Sequence, residues 1–152
     1  MIEPIVIPEE RMRILRRDKR WKVALGKLSD VKVEINSDVL LEGDDPLQLM
    51  RVKDVMKAFG RGFNFDDALN LLDEEFILEM IELREFAGKS KERQAVLKGR
   101  VIGTQGRIKK LIEKEADVKI AVQGKTISII GRWDNMEFAK KIIEMILQLM
   151  VF

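Results

Sequence analysis

Residues 31–35 alternate, with Val31, Val33 and Ile35 apolar and Lys32 and Glu34 charged, which predicts a strand with one face on a core. The pattern returns at 118–122 as Val118-Lys119-Ile120-Ala121-Val122, each copy preceded by Asp, so stepping from 31 to 118 defines an offset of 87 residues. At that offset Arg13-Ile14-Leu15 falls on Arg100-Val101-Ile102 and Lys27 on Lys114; with a one-residue slip, VLLEG at 39–43 falls on ISIIG at 127–131. A repeat of this length points to two copies of one small domain. They span residues 1–62 and 74–152, joined by a short helical linker at 63–73 whose apolar residues Phe65, Ala68, Leu69 and Leu72 pack it between the domains.

Each copy reads in the same order. Strands at 2–7 and 76–83 come first, rich in β-branched or large apolar residues. A short helix, a loop and a second helix follow, the second helices carrying Trp21, Ala24, Leu25 and Leu28 in one copy and Ile108, Leu111 and Ile112 in the other at helical spacing. The alternating strand and a partner strand at 39–42 or 126–130 come next, the second pair turned at Gly124. An amphipathic helix closes each copy: Pro46 opens one, with Val52, Val55, Met56 and Phe59 as its buried stripe, and Asp134 caps the other, with Met136, Ala139, Ile143, Ile146, Leu147 and Met150. The expected fold class is α+β, two tandem domains of β-α-α-β-β-α order. The Met and Phe positions are core rather than a ligand box.

At 152 residues and 46% hydrophobic, the chain can build its core without metal or disulfide. Cysteine and histidine are both absent. That removes thiolate nucleophiles, cysteine zinc sites, the commonest general base and every Ser-His or Cys-His arrangement. The expectation is therefore a non-enzyme without cofactor or metal. No stretch resembles a membrane span or a signal peptide, which implies a cytoplasmic location. The 36% charged content leans toward a thermophilic source.

The net charge of +2 conceals an uneven distribution. One basic span runs from Arg11 through Arg16, Arg17, Lys19 and Arg20 to Lys27, and a second from Lys89 through Arg100, Arg107, Lys109 and Lys110 to Lys114. Between them lies an acidic middle that includes Asp66, Asp67, Glu74 and Glu75. The charge runs read either as solvated helix faces or as two cationic surfaces suited to a polyanion.

The second basic span holds the stretch GRVIGTQGRIKK, with Gly103 and Gly106 bracketing two polar residues between two helices. A P-loop needs a lysine and a hydroxyl residue after the last glycine, and Arg107-Ile108 stands there; a dinucleotide fingerprint needs a preceding strand, and KERQAVLKGRV is helical in pattern. A GxxG between the first two helices of this order resembles the K-homology (KH) domain, and GRVIGTQGRIKKLIEKEADVKIAV matches its core. The resemblance implies a loop on which the backbone of a single-stranded nucleic acid rests, where side chains at Gly103 and Gly106 would hold it off. Thr104 and Gln105 add polar donors, the following helix directs its N-terminus at phosphate, and Arg100, Arg107, Lys109 and Lys110 add charge. Ile102, Ile108, Val118 and Ile120 are candidates to line a base-binding groove, with core positions for Ile108 and Val118 as the alternative.

At the repeat offset GTQG lies over Arg16-Arg17-Asp18-Lys19, so the first copy lacks both glycines. Arg16, Arg17, Lys19 and Arg20 then form a secondary basic surface, a protein-docking face or a scaffold. This asymmetry, the GRGF and DDALNLL segments and the later GKTISIIG resemble the archaeal and eukaryotic ribosome-biogenesis KH proteins of the Krr and Partner-of-Nob (Pno, Dim) group, of archaeal type. The resemblance implies binding of small-subunit pre-rRNA near its 3′ end, with the Nob endonuclease and the alpha subunit of initiation factor two as partners. Archaeal members often carry GxxG in both copies and continue past the last helix, whereas this chain has it once and closes on LQLMVF. The competing readings are a protein-docking adaptor for processing or initiation factors and a nuclease using Asp66 and Asp67 with a divalent metal.

Overall fold

A computed structural model describes residues 1–148 of the chain. It divides into two compact α+β units, Met1–Glu74 and the residues from Glu75 onward. Met150, expected in the last apolar stripe, and most of the LQLMVF end lie outside the described residues.

The first unit runs β1 (Ile2–Ile5), α1 (Glu9–Arg17), α2 (Arg20–Leu28), β2 (Lys32–Ile35), β3 (Val39–Glu42) and α3 (Pro46–Gly60), followed by α4 (Phe65–Leu69) and a 3₁₀ turn (Asn70–Leu72). Its sheet is antiparallel in the order β1-β3-β2, with Ile5 and Ile35 both opposite Val39. The alternation expected at 31–35 is realised, since Val31 and Val33 are buried and Lys32 and Glu34 exposed. Strand β1 stops at Ile5, two residues earlier than expected, because Pro8 leads directly into α1; Ile7 is still buried. Helix α3 opens as its sequence dictates: the Asp45 carboxylate accepts from the N–H groups of Leu47 and Gln48, and Pro46 occupies the first helical position. Leu28 is not core; it ends α2 and is 60% exposed, while Trp21 and Leu25 carry the buried stripe.

Residues 65–72 belong to this unit's core rather than to a linker packed between two domains. Phe65, Leu69 and Leu72 pack on that core, and the Phe65 ring lies 5.8 Å from Trp21 and 6.0 Å from Phe59, both at tilted angles. The Arg11 side chain ties α1 to the same corner. It sits 4.2 Å over the Phe59 ring and donates to the carbonyls of Phe59 at 2.9 Å and Phe63 at 2.7 Å. Burial lowers the pKa of its guanidinium, with Glu10 working the other way.

The second unit runs β4 (Phe76–Glu82), α5 (Arg84–Ala87), α6 (Lys91–Ile102), α7 (Arg107–Ala116), β5 (Val118–Gln123), β6 (Thr126–Arg132) and α8 (Trp133–Gln148). The one-turn α5 is an addition to the expected order. The antiparallel sheet runs β4-β6-β5, with a two-residue turn at Gly124-Lys125 that puts Gln123 opposite Thr126. Ile127 and Ile129 of β6 meet Leu97, Val101, Ile112, Ile143 and Leu147 from the helices in one core. Helix α8 starts one residue earlier than its expected cap, so Asp134 lies in the first turn, where its charge favours the positive end of the helix dipole.

If residues 65–72 complete the first unit, Phe65→Ala should destabilise that unit by about 2–3 kcal/mol, below the full cost of a wholly buried Phe because the ring is only partly enclosed. Urea unfolding followed by Trp21 fluorescence in a Trp133→Phe background measures this. An unchanged midpoint would return the segment to the role of a linker.

Candidate nucleic-acid interface

The GTQG turn is built from α6. Ser90 caps that helix by accepting from the Arg93 N–H at 3.2 Å, and Leu97 and Val101 anchor its inner face in the core. The helix stops at Ile102 because Gly103 turns to φ +74°, ψ 176°, and its N–H still donates to the Gly99 carbonyl at 2.8 Å. Gln105 (φ +56°) and Gly106 (φ +76°) are also left-handed, and α7 begins at the next residue. Three of the four loop residues thus have positive φ, a conformation that costs an L-residue such as Gln105 about 1–2 kcal/mol.

The two glycines are needed for different reasons. A Cβ at Gly103 would lie 2.4 Å from Ile108 Cγ1 and 2.9 Å from the Ile108 N, so this position is closed by the protein's own packing. A Cβ at Gly106 would meet nothing within 4 Å and would stand in open space at the mouth of α7. Only Gly106 therefore leaves room for an approaching backbone; Gly103 leaves room for Ile108. Helix α7 has no side-chain cap and no acidic residue in its first turn, so the positive end of its dipole faces outward unopposed.

Around this turn Thr104, Gln105, Arg107, Lys110 and Arg100 are exposed. Lys109 is held differently, with its Nζ 3.7 Å from Glu113 Oε1 one helical turn on. Glu113 also accepts from the Ile120 N–H at 2.9 Å, which ties the Lys109–Glu113 flank of α7 to β5. Ile102 is half-buried beside the loop. Ile120 and Val118, offered as groove lining, are instead core residues at 3% and 4% exposure, because the β5 alternation turns both toward the helices. Ile108 is 37% exposed, and Leu111, one of the helically spaced apolar residues of α7, is 54% exposed. At 100° per residue both lie on the flank of α7 away from Lys109 and Glu113.

The first unit has no comparable loop. Arg16 and Arg17 are the last turn of α1, and only Asp18 and Lys19 separate it from α2, both with negative φ. The basic residues are also partly neutralised there. Arg20 is bound to Asp18, whose carboxyl is held below its usual pKa by hydrogen bonds from the Arg20 side chain and N–H. Arg16 donates to Glu9 at 2.7 Å and to the Asn36 carbonyl at 3.0 Å, leaving Arg17 and Lys19 as exposed charges. Among the described residues no group of three or more Asp or Glu is placed to hold a metal ion, and no helix is long and apolar enough to cross a membrane.

A helix-turn-helix with this left-handed glycine turn, laid on a β4-β6-β5 sheet, defines the second unit as a KH domain. Residues 77–148 match the model for the second KH domain of Pno1, described as a eukaryotic-type KH domain of type I. A KH domain-containing protein of Methanocaldococcus jannaschii is 35% identical over 97% of this chain and 67% of its own length. The RNA-binding protein pno1 of Drosophila melanogaster is 32% identical over 67% of the chain, which spans 43% of that protein. Among solved structures, Dim2p of Pyrococcus horikoshii is 33% identical with a TM-score of 0.84, covering 97% of this chain and 91% of its own. A complex of a/eIF2alpha, aDim2p and rRNA from the same organism matches at 32% identity and a TM-score of 0.85, over 97% of this chain and 85% of that one. The chain belongs to the Pno1/Dim2 family of KH-domain proteins.

The unequal glycines give a measurable difference. Gly103→Ala should destabilise the second unit by about 3 kcal/mol, from strain plus overpacking, and Gly106→Ala by about 1 kcal/mol, from strain alone. Adding Ile108→Ala should recover stability in the first variant and not in the second. Urea unfolding followed by Trp133 fluorescence checks both; equal losses would mean that the Ile108 contact carries no weight.

Proposed function

We propose that the protein is a non-catalytic, cytoplasmic RNA-binding assembly factor that holds single-stranded small-subunit rRNA near its 3′ end. The second unit grips about four nucleotides across the GTQG turn. The observation that carries this reading is the open space at Gly106, set at the uncapped N-terminus of α7 and flanked by the exposed Arg107 and Lys110. A phosphate there meets helix amides and two cations without displacing a side chain. The family relation adds support, since one solved relative is in a complex with rRNA and a/eIF2alpha. The initiation-factor alpha subunit is accordingly the proposed protein partner.

On this reading the first unit is a degenerate KH domain. Its two-residue turn presents no left-handed loop, and its free charges, Arg17 and Lys19, supply at most a weak, sequence-independent contact.

Replacing Thr104 and Gln105 with Asp puts two carboxylates where phosphate would lie. Affinity for a single-stranded fragment of the small-subunit rRNA 3′ end should fall at least tenfold with an unchanged circular dichroism spectrum; equal affinity would sink the proposal. Arg107→Ala should make the log affinity against log salt slope shallower by about 0.7, one single-strand phosphate contact. Lys109→Ala should change it less, because Glu113 already compensates that charge. Identical slopes for the two variants would remove Arg107 from the contact.

A further inference from the structure

Gly106, Lys109 and Glu113 fall within about 60° of one another at 100° per residue, so one face of α7 runs from the turn to β5. At 1.5 Å per residue Glu113 stands about 10 Å along that face from Gly106. Its Oε2 accepts from the Ile120 N–H at 2.9 Å. Strand β5 is an outer strand, and a residue that turns its N–H away from the neighbouring strand turns its C=O the same way. Without Glu113 the strand edge at Ile120 would show a nucleobase one donor and one acceptor. With it, the edge shows acceptors only, the Ile120 carbonyl and a carboxylate.

The carboxylate is fixed and still able to accept. Lys109 Nζ lies 3.7 Å from Oε1, too far for a hydrogen bond, so that oxygen keeps its accepting capacity, and the Glu113 side chain remains 20% exposed. Lys109 also stands between Glu113 and the turn, which screens the carboxylate from a phosphate at Gly106. The first unit shows the same edge without the acid. At the offset of 87, Lys22 corresponds to Lys109, Gly26 to Glu113 and Val33 to Ile120. Those three residues line an open groove of about 320 Å³ between α2 and β2. Glu34 borders that groove too, but from the strand, at the position of Ala121. The space over the strand edge is therefore open in one unit and furnished with a helix-borne carboxylate in the other.

We infer that Glu113 selects the base held beside the turn, a role that rests on the RNA reading proposed above. Its carboxylate accepts from the exocyclic amino group of adenine, cytosine or guanine. Uracil carries carbonyl oxygens and no amino group. Set against Glu113 it opposes acceptor to acceptor, and both lose water without gaining a donor.

The test measures binding of the full chain to the single-stranded rRNA 3′-end fragment with uridine introduced at one position at a time. At one position uridine should weaken binding about tenfold, and an analogue lacking only the exocyclic amino group there should weaken it about as much. Glu113→Gln keeps an oxygen for the Ile120 N–H and turns an amide donor outward. In that variant the uridine penalty at this position should fall to about twofold or less, with the penalties elsewhere as in the parent. A second measurement needs no substitution in the protein: the Ile120 amide signal of the isotope-labelled parent should shift on binding the fragment, and shift less when uridine occupies that position. Four results would overturn the inference: no position at which the amino group matters; a uridine penalty that survives in Glu113→Gln; a uniform loss of affinity in that variant, meaning a structural role only; or an Ile120 signal indifferent to the base. A parent that does not bind the fragment overturns the RNA reading as well, whereas a parent that binds it without such a position overturns this inference alone.

Discussion

The contact between Gly103 and Ile108 is the constraint on which the second unit's surface depends. Because Ile108 fills the space where a side chain at 103 would stand, α6 must end there and α7 must leave at one fixed angle. Everything useful about the turn follows from that closure. Gly106 is carried outward, the first amides of α7 are left uncapped, and Arg107 and Lys110 stand beside them. The glycine with the packing role and the glycine with the open surface are three residues apart and look equivalent in the sequence.

Much of the fold was legible because hydrophobic period and internal repeat agree. The alternation at 31–35 and 118–122, Pro46 behind Asp45, and the two-residue turn at Gly124 each encode their element locally. Legibility failed where the outcome depended on tertiary contact. Nothing local says that Phe65 reaches back to Trp21, so residues 63–73 read as a linker. Alternation gave β5 correctly but could not say which apolar side chains face the helices and which face a groove, and Ile120 was assigned to the wrong side. Glu113 was missed altogether, since a carboxylate that bonds a strand amide seven residues on has no sequence signature.

The repeat is also informative where it breaks. At the same offset one unit spends four residues on the helix-helix turn and the other two, and the difference changes the electrostatics as well as the shape. In the short turn Asp18 folds back on Arg20 and Glu9 on Arg16, so half of the local positive charge is compensated within the unit. In the long turn Arg107 has no such acid beside it in the loop. Counting basic residues makes the spans look alike; their side-chain partners make them different surfaces.

Glu113 has one more effect. Strand β5 lies at the end of the β4-β6-β5 sheet, and an outer strand with unpaired amides is a template on which another chain can add a strand. The Glu113 carboxylate occupies the outward amide of Ile120, in the middle of that strand. A single helical side chain therefore marks where the sheet stops growing, without a proline or a bulge in the strand itself.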